Sequence, residues 1–369
     1  MQPDTRPGIV FDSTGRCPAC IYSESLASVD WEERNKLLGE IVEFGRRTTS
    51  CEFDSIIGVS GGKDSTRQAL FVRDVLKMRP LLVCLSYPPD QSTQRGIDNI
   101  ANLVNHGFTC VTIYPAPERW RRLMKKGFLQ YGNWCRSTEL ALFSSVPRLA
   151  VAYQIPLIWW GENPALQLGD LNVLGQDGSD GNRLRRMNTL GGGDIGWLID
   201  EEDRPSHLLQ YQYPSESMIE RAGIRICFLG YFWKDWSLID NGVFSALRGL
   251  DVRRESGLAT GDPFGVTSLD EDWVTLNQMI KYLKFGFGRT TEYMCEAIRQ
   301  GKVSREEAIR KVELYDGKCS NDYIESFCAF IGITIKQFWE TVSGFVNRDL
   351  FWIEDSRSFR PKFRVGVGL

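Results

Sequence analysis

Apolar and polar residues alternate along residues 54–160 in a pattern that predicts a succession of strands and helices. Short apolar runs bounded by polar or turn residues are typical of buried parallel strands, whereas apolar residues three to four positions apart indicate helices. The strands are predicted at 56–59, 81–86, 108–114 and 155–160, and the helices after residue 65 and at 94–105, 118–128 and 138–153. This alternation predicts an α/β fold with a doubly wound, mainly parallel sheet.

Outside this region the pattern separates an N-terminal segment from a helical C-terminal part. Residues 31–46 predict a helix that leads into the α/β region, and residues 224–230 predict one further strand. Helices are predicted at 273–285, 290–300, 303–315, 321–331 and 334–345. We therefore expect an N-terminal segment (1–50), an α/β domain (51–230) and a mostly helical C-terminal region (231–369).

Residues 165–222 interrupt the α/β region because their periodicity is lost. The stretch from Gly169 to Gly196 is rich in Gly, Asp and Asn and contains Gly191-Gly192-Gly193, which predicts long loops. Such an insert is usually a lid, a binding loop or a partly disordered segment. The sequence leaves its role open.

The first predicted strand ends in a glycine-rich turn, Ser60-Gly61-Gly62-Lys63-Asp64-Ser65, which a predicted helix follows. Glycines let the backbone approach an anion, and the free amides of a helix N-terminus attract negative charge. Lys63 adds a positive charge, and Ser60 and Ser65 add hydroxyl donors. Asp64 suits a phosphate site when a cation bridges the two, which indicates Mg²⁺-pyrophosphate. The alternative is a turn that caps the helix and binds no ligand.

The glycine turn differs from two common nucleotide-binding loops. A Walker A loop has Ser or Thr where Asp64 follows Lys63, and the turn lacks the G-x-G-x-x-G pattern. It resembles instead the pyrophosphatase loop of the PP-loop ATP pyrophosphatases. The resemblance implies a fold of PP-loop type and cleavage of ATP between its α and β phosphates, giving AMP and pyrophosphate.

Two other polar stretches directly follow predicted strands: Ser86-Tyr87, and residues 161–164 with Glu162 and Asn163. Ligands of open α/β sheets bind outside the carboxyl ends of the strands, so we expect both stretches beside the glycine turn. Ser86 and Tyr87 are candidates for the adenine site, and Glu162 and Asn163 for contact with a substrate. The alternative for residues 161–164 is a plain turn.

Residues 282–289, Tyr-Leu-Lys-Phe-Gly-Phe-Gly-Arg, interrupt the helical region with two glycines among aromatic and basic residues. Lys284 and Arg289 are candidates for binding a phosphate or carboxylate of the substrate. The equally acceptable alternative is a helix C-cap with solvated basic side chains.

Composition narrows the possible functions. Among 369 residues, 42% are apolar and 25% charged, as in a soluble globular protein, and the net charge of −3 argues against sequence-independent nucleic-acid binding. The sequence shows neither a membrane-spanning apolar run nor a signal-peptide pattern, so we expect a cytoplasmic protein without a membrane partner. With only two histidines, Ser-His-Asp hydrolysis and histidine base catalysis are nearly excluded.

Cys17-Pro18-Ala19-Cys20 has the spacing of half a tetrahedral zinc site, but no second pair follows at short spacing. Ten cysteines without a secretory signal favour reduced thiols. On its own the pair is equally compatible with a metal site and with packing.

Five stretches taken together resemble one family. They are residues 3–8 (Pro-Asp-Thr-Arg-Pro-Gly), 59–65, 161–164, 282–289 and 315–318 (Tyr-Asp-Gly-Lys). The chain resembles the N-acetyl sugar amidotransferases, PP-loop enzymes of bacterial surface-polysaccharide (lipopolysaccharide and O-antigen) assembly. The resemblance implies an ATP- and Mg²⁺-dependent conversion of an acetamido group on a UDP-linked 2,3-diacetamido uronic acid into an acetamidino group. It also implies that ammonia comes from a separate glutaminase and its cyclase-like partner, which resemble the histidine-pathway pair (HisH/HisF-like).

The sequence departs from the family pattern at the zinc site. Family members usually carry a C-x-x-C just before the stretch at residues 3–8, which would pair with Cys17 and Cys20 around zinc. This sequence lacks that pair, and it lacks the second cysteine expected near Cys135. Either the zinc site is lost or the natural start lies upstream.

The chemistry of amides suggests roles for these residues. An amide oxygen is a poor leaving group, so AMP is first transferred to it and leaves when ammonia attacks. Catalysis then rests on positioning and on stabilising the departing pyrophosphate. We predict that pyrophosphate is bound by Ser60, Gly61, Gly62, Lys63 and Ser65, and that Asp64 binds Mg²⁺. Glu162 or Asn163 is predicted to orient the acetamido group or to deprotonate ammonium. Lys284 and Arg289 are predicted to bind the sugar carboxylate or diphosphate.

Two other functions compete with this one. A tRNA-modifying PP-loop enzyme, of the thiolation or lysidine type, is disfavoured by the net charge and by the single C-x-x-C. A nucleotide sensor without catalysis is disfavoured by the intact Lys63-Asp64-Ser65. The sequence leaves open the exact sugar, the reacting position and the oligomeric state, a homodimer included.

Overall fold

The computed structural model describes residues 3–167, 180–182, 190, 194–201 and 203–367. Its centre is a parallel sheet whose strands are β1 (Ser55–Gly58), β2 (Pro80–Leu85), β3 (Cys110–Ile113), β4 (Leu157–Trp160) and β5 (Arg225–Phe228). In the described residues the strand order is β3-β2-β1-β4-β5. The predicted fold class is confirmed: a parallel α/β sheet with a helical C-terminal region.

The helices occupy most of the remaining described chain. They are α1 (Pro18–Ser25), α2 (Trp31–Thr48), α3 (Lys63–Asp74), α4 (Gln94–Asn105), α5 (Pro117–Tyr131), α6 (Cys135–Tyr153), α7 (Pro164–Gln167), α8 (Glu216–Arg221), α9 (Leu238–Ala246), α10 (Gly257–Thr260), α11 (Val274–Phe285), α12 (Arg289–Arg299), α13 (Arg305–Tyr315), α14 (Asn321–Ile331) and α15 (Ile335–Phe345). A short antiparallel hairpin, β6 (Phe351–Ile353) with β7 (Phe359–Pro361), follows. Sequence periodicity predicted neither this hairpin nor α9, because both elements are short.

The strand order places a topological switch point beside β1. The chain runs outwards from β1 through β2 to β3, then returns to the other side of β1 for β4 and β5. Ile57 pairs with both Leu82 and Trp159, so β1 lies in the middle of the sheet. The connections that follow β1 and β4 therefore lead to opposite sides of the sheet, and a crevice opens between the carboxyl ends of the two strands.

Each face of the sheet is covered by its own apolar core. Ile57 and Trp159 face α2 and α3, whereas Ile56 and Ile158 face α5 and α6. Of the C-terminal helices, α11, α14 and α15 belong to the core with α5 and α6, where the rings of Phe128 on α5 and Phe338 on α15 stack at 5.2 Å. This shared core joins the C-terminal helices to the sheet, and the proposed boundaries at residues 50 and 230 stay a prediction.

The insert at residues 165–222 contains short helical elements where it is described. These are α7, α8 and 3₁₀ turns at Gly196–Leu198, Pro205–His207 and Leu209–Tyr211. The Gly191-Gly192-Gly193 stretch lies outside the described residues. Among the described residues, no helix combines the length and apolar composition needed to cross a membrane.

Candidate functional site

A cavity of about 280 Å³ opens at the switch point, between the ends of β1 and β4 and the C-terminal region. One wall is the glycine turn with the start of α3, and a second comprises Trp160, Gly161 and Glu162. A third wall comes from the C-terminal region. It consists of Val266, Thr267, Ser268, Arg289 and Tyr293. The predicted meeting of residues 60–65 with Glu162 is therefore present, and Arg289 joins them.

The conformation of the turn requires glycine at residue 61. Gly61 has a φ of +72°, and a Cβ there would lie 2.8 Å from the Cβ of Asn99 on α4. Gly62 is the N-cap of α3 in extended conformation, and it supplies no capping side chain. The helix N-terminus is thus presented to the cavity as a site for an anion.

Lys63 and Asp64 form a close ion pair at the edge of the cavity. Lys63 is only 7% exposed, and its ammonium lies 2.6 Å from Oδ2 of Asp64. The other carboxylate oxygen, Oδ1, accepts a 2.6 Å hydrogen bond from Nδ2 of Asn241. The Ser65 hydroxyl donates to the carbonyl of Gly62 at 3.1 Å, so it supports the turn from inside.

Glu162 is the second carboxyl group of the cavity. Burial raises its pKa to about 7, and the nearby negative charge of Asp64 contributes in the same direction. A carboxyl group with this pKa exchanges a proton readily near neutral pH, which suits a general base. The adjoining Gly161 allows close approach to α3, since a Cβ there would lie 2.8 Å from Oε1 of Gln68.

Asn163 and Ser86 lie outside the cavity lining. The Asn163 side chain donates to the carbonyl of Gly230 at 3.1 Å and accepts from the amide of Leu166 at 3.2 Å. It thereby ties the loop after β4 to the loop after β5, which favours a positioning role over contact with substrate. The Ser86 hydroxyl donates to the carbonyl of Tyr87 at 3.3 Å. Their predicted catalytic and adenine-binding roles stay predictions.

Arg289 and Lys284 lie on different helices and point to different places. Arg289 begins α12 and donates from Nη1 to Oγ1 of Thr267 at 2.7 Å and from Nη2 to Oγ of Ser268 at 3.1 Å. Lys284 lies in the last turn of α11 and donates to the carbonyl of Tyr131 at 2.8 Å, away from the cavity lining. Burial lowers the pKa of Lys284. The structure thus favours Arg289 over Lys284 as a ligand-binding residue.

Two of the sequence motifs support the turn between α11 and α12. The buried carboxylate of Asp316 accepts from the amides of Gly288 and Thr290 at 2.7 and 2.9 Å, and from the hydroxyl of Thr291 at 2.6 Å. Thr5, in the stretch at residues 3–8, donates to the carbonyl of Phe285. Asp316 therefore holds the start of α12, where Arg289 lies, and Thr5 holds the end of α11.

Cys17 and Cys20 form a close thiol pair at the start of α1. Their Sγ atoms are 3.5 Å apart, and the hydrogen bond between the two thiols lowers the pKa of Cys17 while it raises that of Cys20. Within the described ranges, no group of three or more His, Cys, Asp or Glu side chains is arranged to hold a metal ion. Zinc binding by this pair stays a prediction.

The donor set of the cavity fits ATP and Mg²⁺. Nε2 of Gln68 and Nε1 of Trp160 are buried donors without a hydrogen-bond partner in the part of the chain that the structure describes, and both residues line the cavity. Together with Lys63 and the amides of α3 they suit a polyanion. Asp64 supplies the hard oxygen that Mg²⁺ prefers, and phosphates and water commonly complete its coordination.

Sequence reasoning missed several residues of this site. Asn241, Thr267, Ser268, Tyr293 and Gln68 belong to no local motif. Among these residues, only Gln68 could have been inferred from the sequence, because it lies on the first helical turns after the glycine turn, on the side that faces the sheet.

Comparison with protein families gives one match. Residues 263–364 match the model described as the C-terminal domain of the WbpG-like LPS biosynthesis proteins. This segment is rather more than a quarter of the chain, and it contains the cavity wall formed by Thr267, Ser268, Arg289 and Tyr293. The resemblance to a family of surface-polysaccharide biosynthesis is thereby confirmed. A comparison with curated proteins finds no match.

Two solved structures show low similarity to the chain. NH3-dependent NAD synthetase from Campylobacter jejuni subsp. jejuni NCTC 11168, in complex with the nitrate ion, is 15% identical with a TM-score of 0.28, over 38% of this chain and 61% of that protein. NMN synthetase from Francisella tularensis is 14% identical with a TM-score of 0.30, over 61% of this chain and 89% of that protein. The chain thus spans 61% of the length of the NAD synthetase.

Proposed function

We propose that the protein is an ATP-dependent sugar amidotransferase that releases AMP and pyrophosphate. Its substrate is a UDP-linked diacetamido uronic acid used in O-antigen or lipopolysaccharide biosynthesis, and its product carries an acetamidino group. One observation carries this proposal: the glycine turn and the Arg289 wall, which belongs to the segment matching the WbpG-like domain, line the same cavity.

The proposed reaction has two steps. The acetamido oxygen attacks the α-phosphorus of ATP, pyrophosphate leaves, and the amide nitrogen loses its proton to give an imidate adenylate. Ammonia then attacks the imidate carbon, and the bond to the AMP oxygen breaks to give the amidine and AMP. Net, an amide, ammonia and ATP become an amidine, AMP and pyrophosphate.

The side chains of the cavity have distinct tasks in this reaction. Lys63 and the amides at the start of α3 hold the pyrophosphate, whose charge they neutralise as it departs. Glu162 takes a proton from ammonium, because its pKa of about 7 makes its carboxylate available near neutral pH. Arg289 holds the carboxylate or diphosphate of the nucleotide sugar in two parallel contacts, as a guanidinium does well. Asp64 would hold Mg²⁺ in part, and the ion would neutralise charge on the phosphates.

The ammonia source in this proposal is a separate glutaminase with a cyclase-like partner. Neither His106 nor His207 lines the cavity, and a self-contained glutaminase needs a cysteine paired with histidine. Ammonium salts should therefore replace the partner proteins in vitro.

A direct assay tests the proposed function. AMP and pyrophosphate are measured from ATP, Mg²⁺ and ammonium, with and without a UDP-diacetamido uronic acid. We expect AMP release that depends on the sugar. The product sugar should be lighter than the substrate by the mass difference between oxygen and NH. AMP formed only in the presence of tRNA would instead support a tRNA-modifying PP-loop enzyme, and ATP binding without AMP from any acceptor would support a nucleotide sensor.

A further inference from the structure

A buried amide links the glycine turn to the neighbouring helix α9. Asn241 is fully buried, and its Nδ2 donates to Oδ1 of Asp64 at 2.6 Å. Its Oδ1 accepts from Nη1 of Arg67 at 2.6 Å. Asp64 and Arg67 lie three residues apart on α3, so one side chain from α9 bridges two neighbouring positions on the facing helix.

Arg67 determines which way this amide points. A guanidinium only donates hydrogen bonds, so the amide oxygen must face Arg67 and the NH₂ group must face Asp64. Arg67 is itself held, since its Nη2 lies 2.8 Å from the Asp235 carboxylate and its guanidinium lies 4.8 Å from the ring centre of Trp233. The donor that reaches Asp64 is therefore fixed in place and direction.

The two oxygens of Asp64 thus have different kinds of partner. Oδ1 binds a rigid, buried amide, whereas Oδ2 binds the ammonium of Lys63, which ends a long and flexible side chain. Lys63 also lines the cavity, where phosphates would attract its charge. When Lys63 turns to a phosphate, Oδ2 becomes available to a cation while Oδ1 keeps its partner.

We propose that Asn241 is a positioning residue that holds the Asp64 carboxylate for Mg²⁺ when Lys63 leaves it for the phosphates. This inference rests on the proposed function, because it assumes that the cavity binds ATP with Mg²⁺. Residues that orient a metal ligand through a hydrogen bond typically change metal affinity about 10- to 100-fold when they are lost.

Helix α9 offers a matched control. Ser245, also fully buried, donates from Oγ to the carbonyl of Lys63 at 2.7 Å. It joins the same two helices one turn further along but does not touch the Asp64 carboxylate. Removing either side chain costs a buried hydrogen bond between α9 and α3, whereas only the Asn241 variants remove the donor to the Asp64 carboxylate.

The test measures ATP binding by the intact chain through isothermal titration, first in EDTA and then at rising Mg²⁺. The variants are Asn241→Ala, Asn241→Asp and Ser245→Ala, each checked for folding by thermal melting. Asn241→Asp keeps the acceptor for Arg67 and the size of the side chain, but its carboxylate cannot donate to Asp64. We expect both Asn241 variants to need about 10-fold more Mg²⁺ to reach the affinity of the wild type, with binding in EDTA unchanged in Asn241→Ala. Ser245→Ala should keep the wild-type Mg²⁺ response.

Three results would overturn the inference. The first is a wild-type Mg²⁺ response in Asn241→Asp. The second is an equal loss in Ser245→Ala and the Asn241 variants, with and without Mg²⁺, which would reduce Asn241 to a packing residue. The third is the absence of ATP binding by the wild type, and this result alone would also overturn the proposed function.

Discussion

Nη1 of Arg289 donates a 2.7 Å hydrogen bond to Oγ1 of Thr267, and this contact holds the guanidinium at the wall of the cavity that the glycine turn also lines. The second contact, from Nη2 to Ser268 at 3.1 Å, leaves the guanidinium little rotational freedom. A side chain ordered in this way before the ligand arrives loses less entropy on binding.

Replacing Arg289 should weaken substrate use more than replacing Lys284. Hydrogen bonds to charged groups contribute about 1.5–3 kcal/mol, so Arg289→Ala should lower kcat/KM for the nucleotide sugar about 10- to 100-fold. Lys284→Ala should change it less than about threefold, because its ammonium binds the Tyr131 carbonyl outside the cavity. Steady-state AMP release at varied sugar concentration measures both, and equal losses in the two variants would contradict this assignment.

Glu162 should give the reaction a pH dependence. Its pKa of about 7 means that the base form increases between about pH 6 and 8, so kcat/KM should rise over this range. Glu162→Gln should be slower and should lack this rise. Glu271, whose burial raises its pKa to about 8, titrates in the same range but does not line the cavity, so the comparison with Glu162→Gln is needed. A rise of equal size in the variant would exclude Glu162 as the base.

The raised pKa of Glu162 also makes the stability of the folded protein depend on pH. Because the folded pKa of Glu162 lies above its unfolded value, the folded state binds the proton more tightly, and stability falls as pH rises from about 4 to 7. Glu162→Gln should remove this part of the slope, so it should gain stability relative to the wild type at pH 8 more than at pH 4. Urea unfolding at both pH values measures the difference, and an equal effect at both would contradict the shift.

Alanine should be tolerated far less at residue 61 than at residue 62. Gly61 needs a left-handed backbone and space beside Asn99, so Gly61→Ala should cost about 1–3 kcal/mol of unfolding free energy. Gly62 has a φ of −83°, and a Cβ there would meet only the Ser60 hydroxyl at 3.3 Å. Gly62→Ala should therefore melt within a few degrees of the wild type. Similar melting temperatures for both variants would show that the turn is not held in this conformation.

Arg253 should be important for the stability of the Arg289 wall. Its side chain is 1% exposed, pairs with Asp272 at 2.6 Å and donates to the carbonyl of Ser268 at 2.7 Å. Arg253→Met leaves the partly exposed Asp272 carboxylate with one partner fewer and removes a buried donor to the Ser268 carbonyl, which should cost about 1–3 kcal/mol. The exposed Lys336 is a control, since Lys336→Ala should change unfolding free energy by less than about 0.5 kcal/mol. Urea unfolding measures both, and a loss below about 1 kcal/mol for Arg253→Met would contradict the expected role.

The amino-acid sequence by itself determined the strands, most helices and the glycine turn. Runs of apolar residues and helical spacing report which face of a local element is buried, and this information lies within a few consecutive residues. The turn at residues 60–65 is likewise local, since its chemistry follows from neighbours in the chain. The meeting of this turn with Glu162 was predictable because parallel strands present their carboxyl ends at one edge.

The tertiary structure alone decided which distant side chains complete the site. Asn241 and Thr267 carry no local signal, because their function comes from elements that pack beside α3 and α12 far away in the sequence. The tertiary structure also decided that Lys284 and Arg289 lie in different surroundings. Gly286, with a φ of +75°, ends α11 between them, so the two basic residues follow different helix axes. Spacing along a chain predicts direction only within one continuous element, and across a turn the packing of the two helices determines where each side chain points.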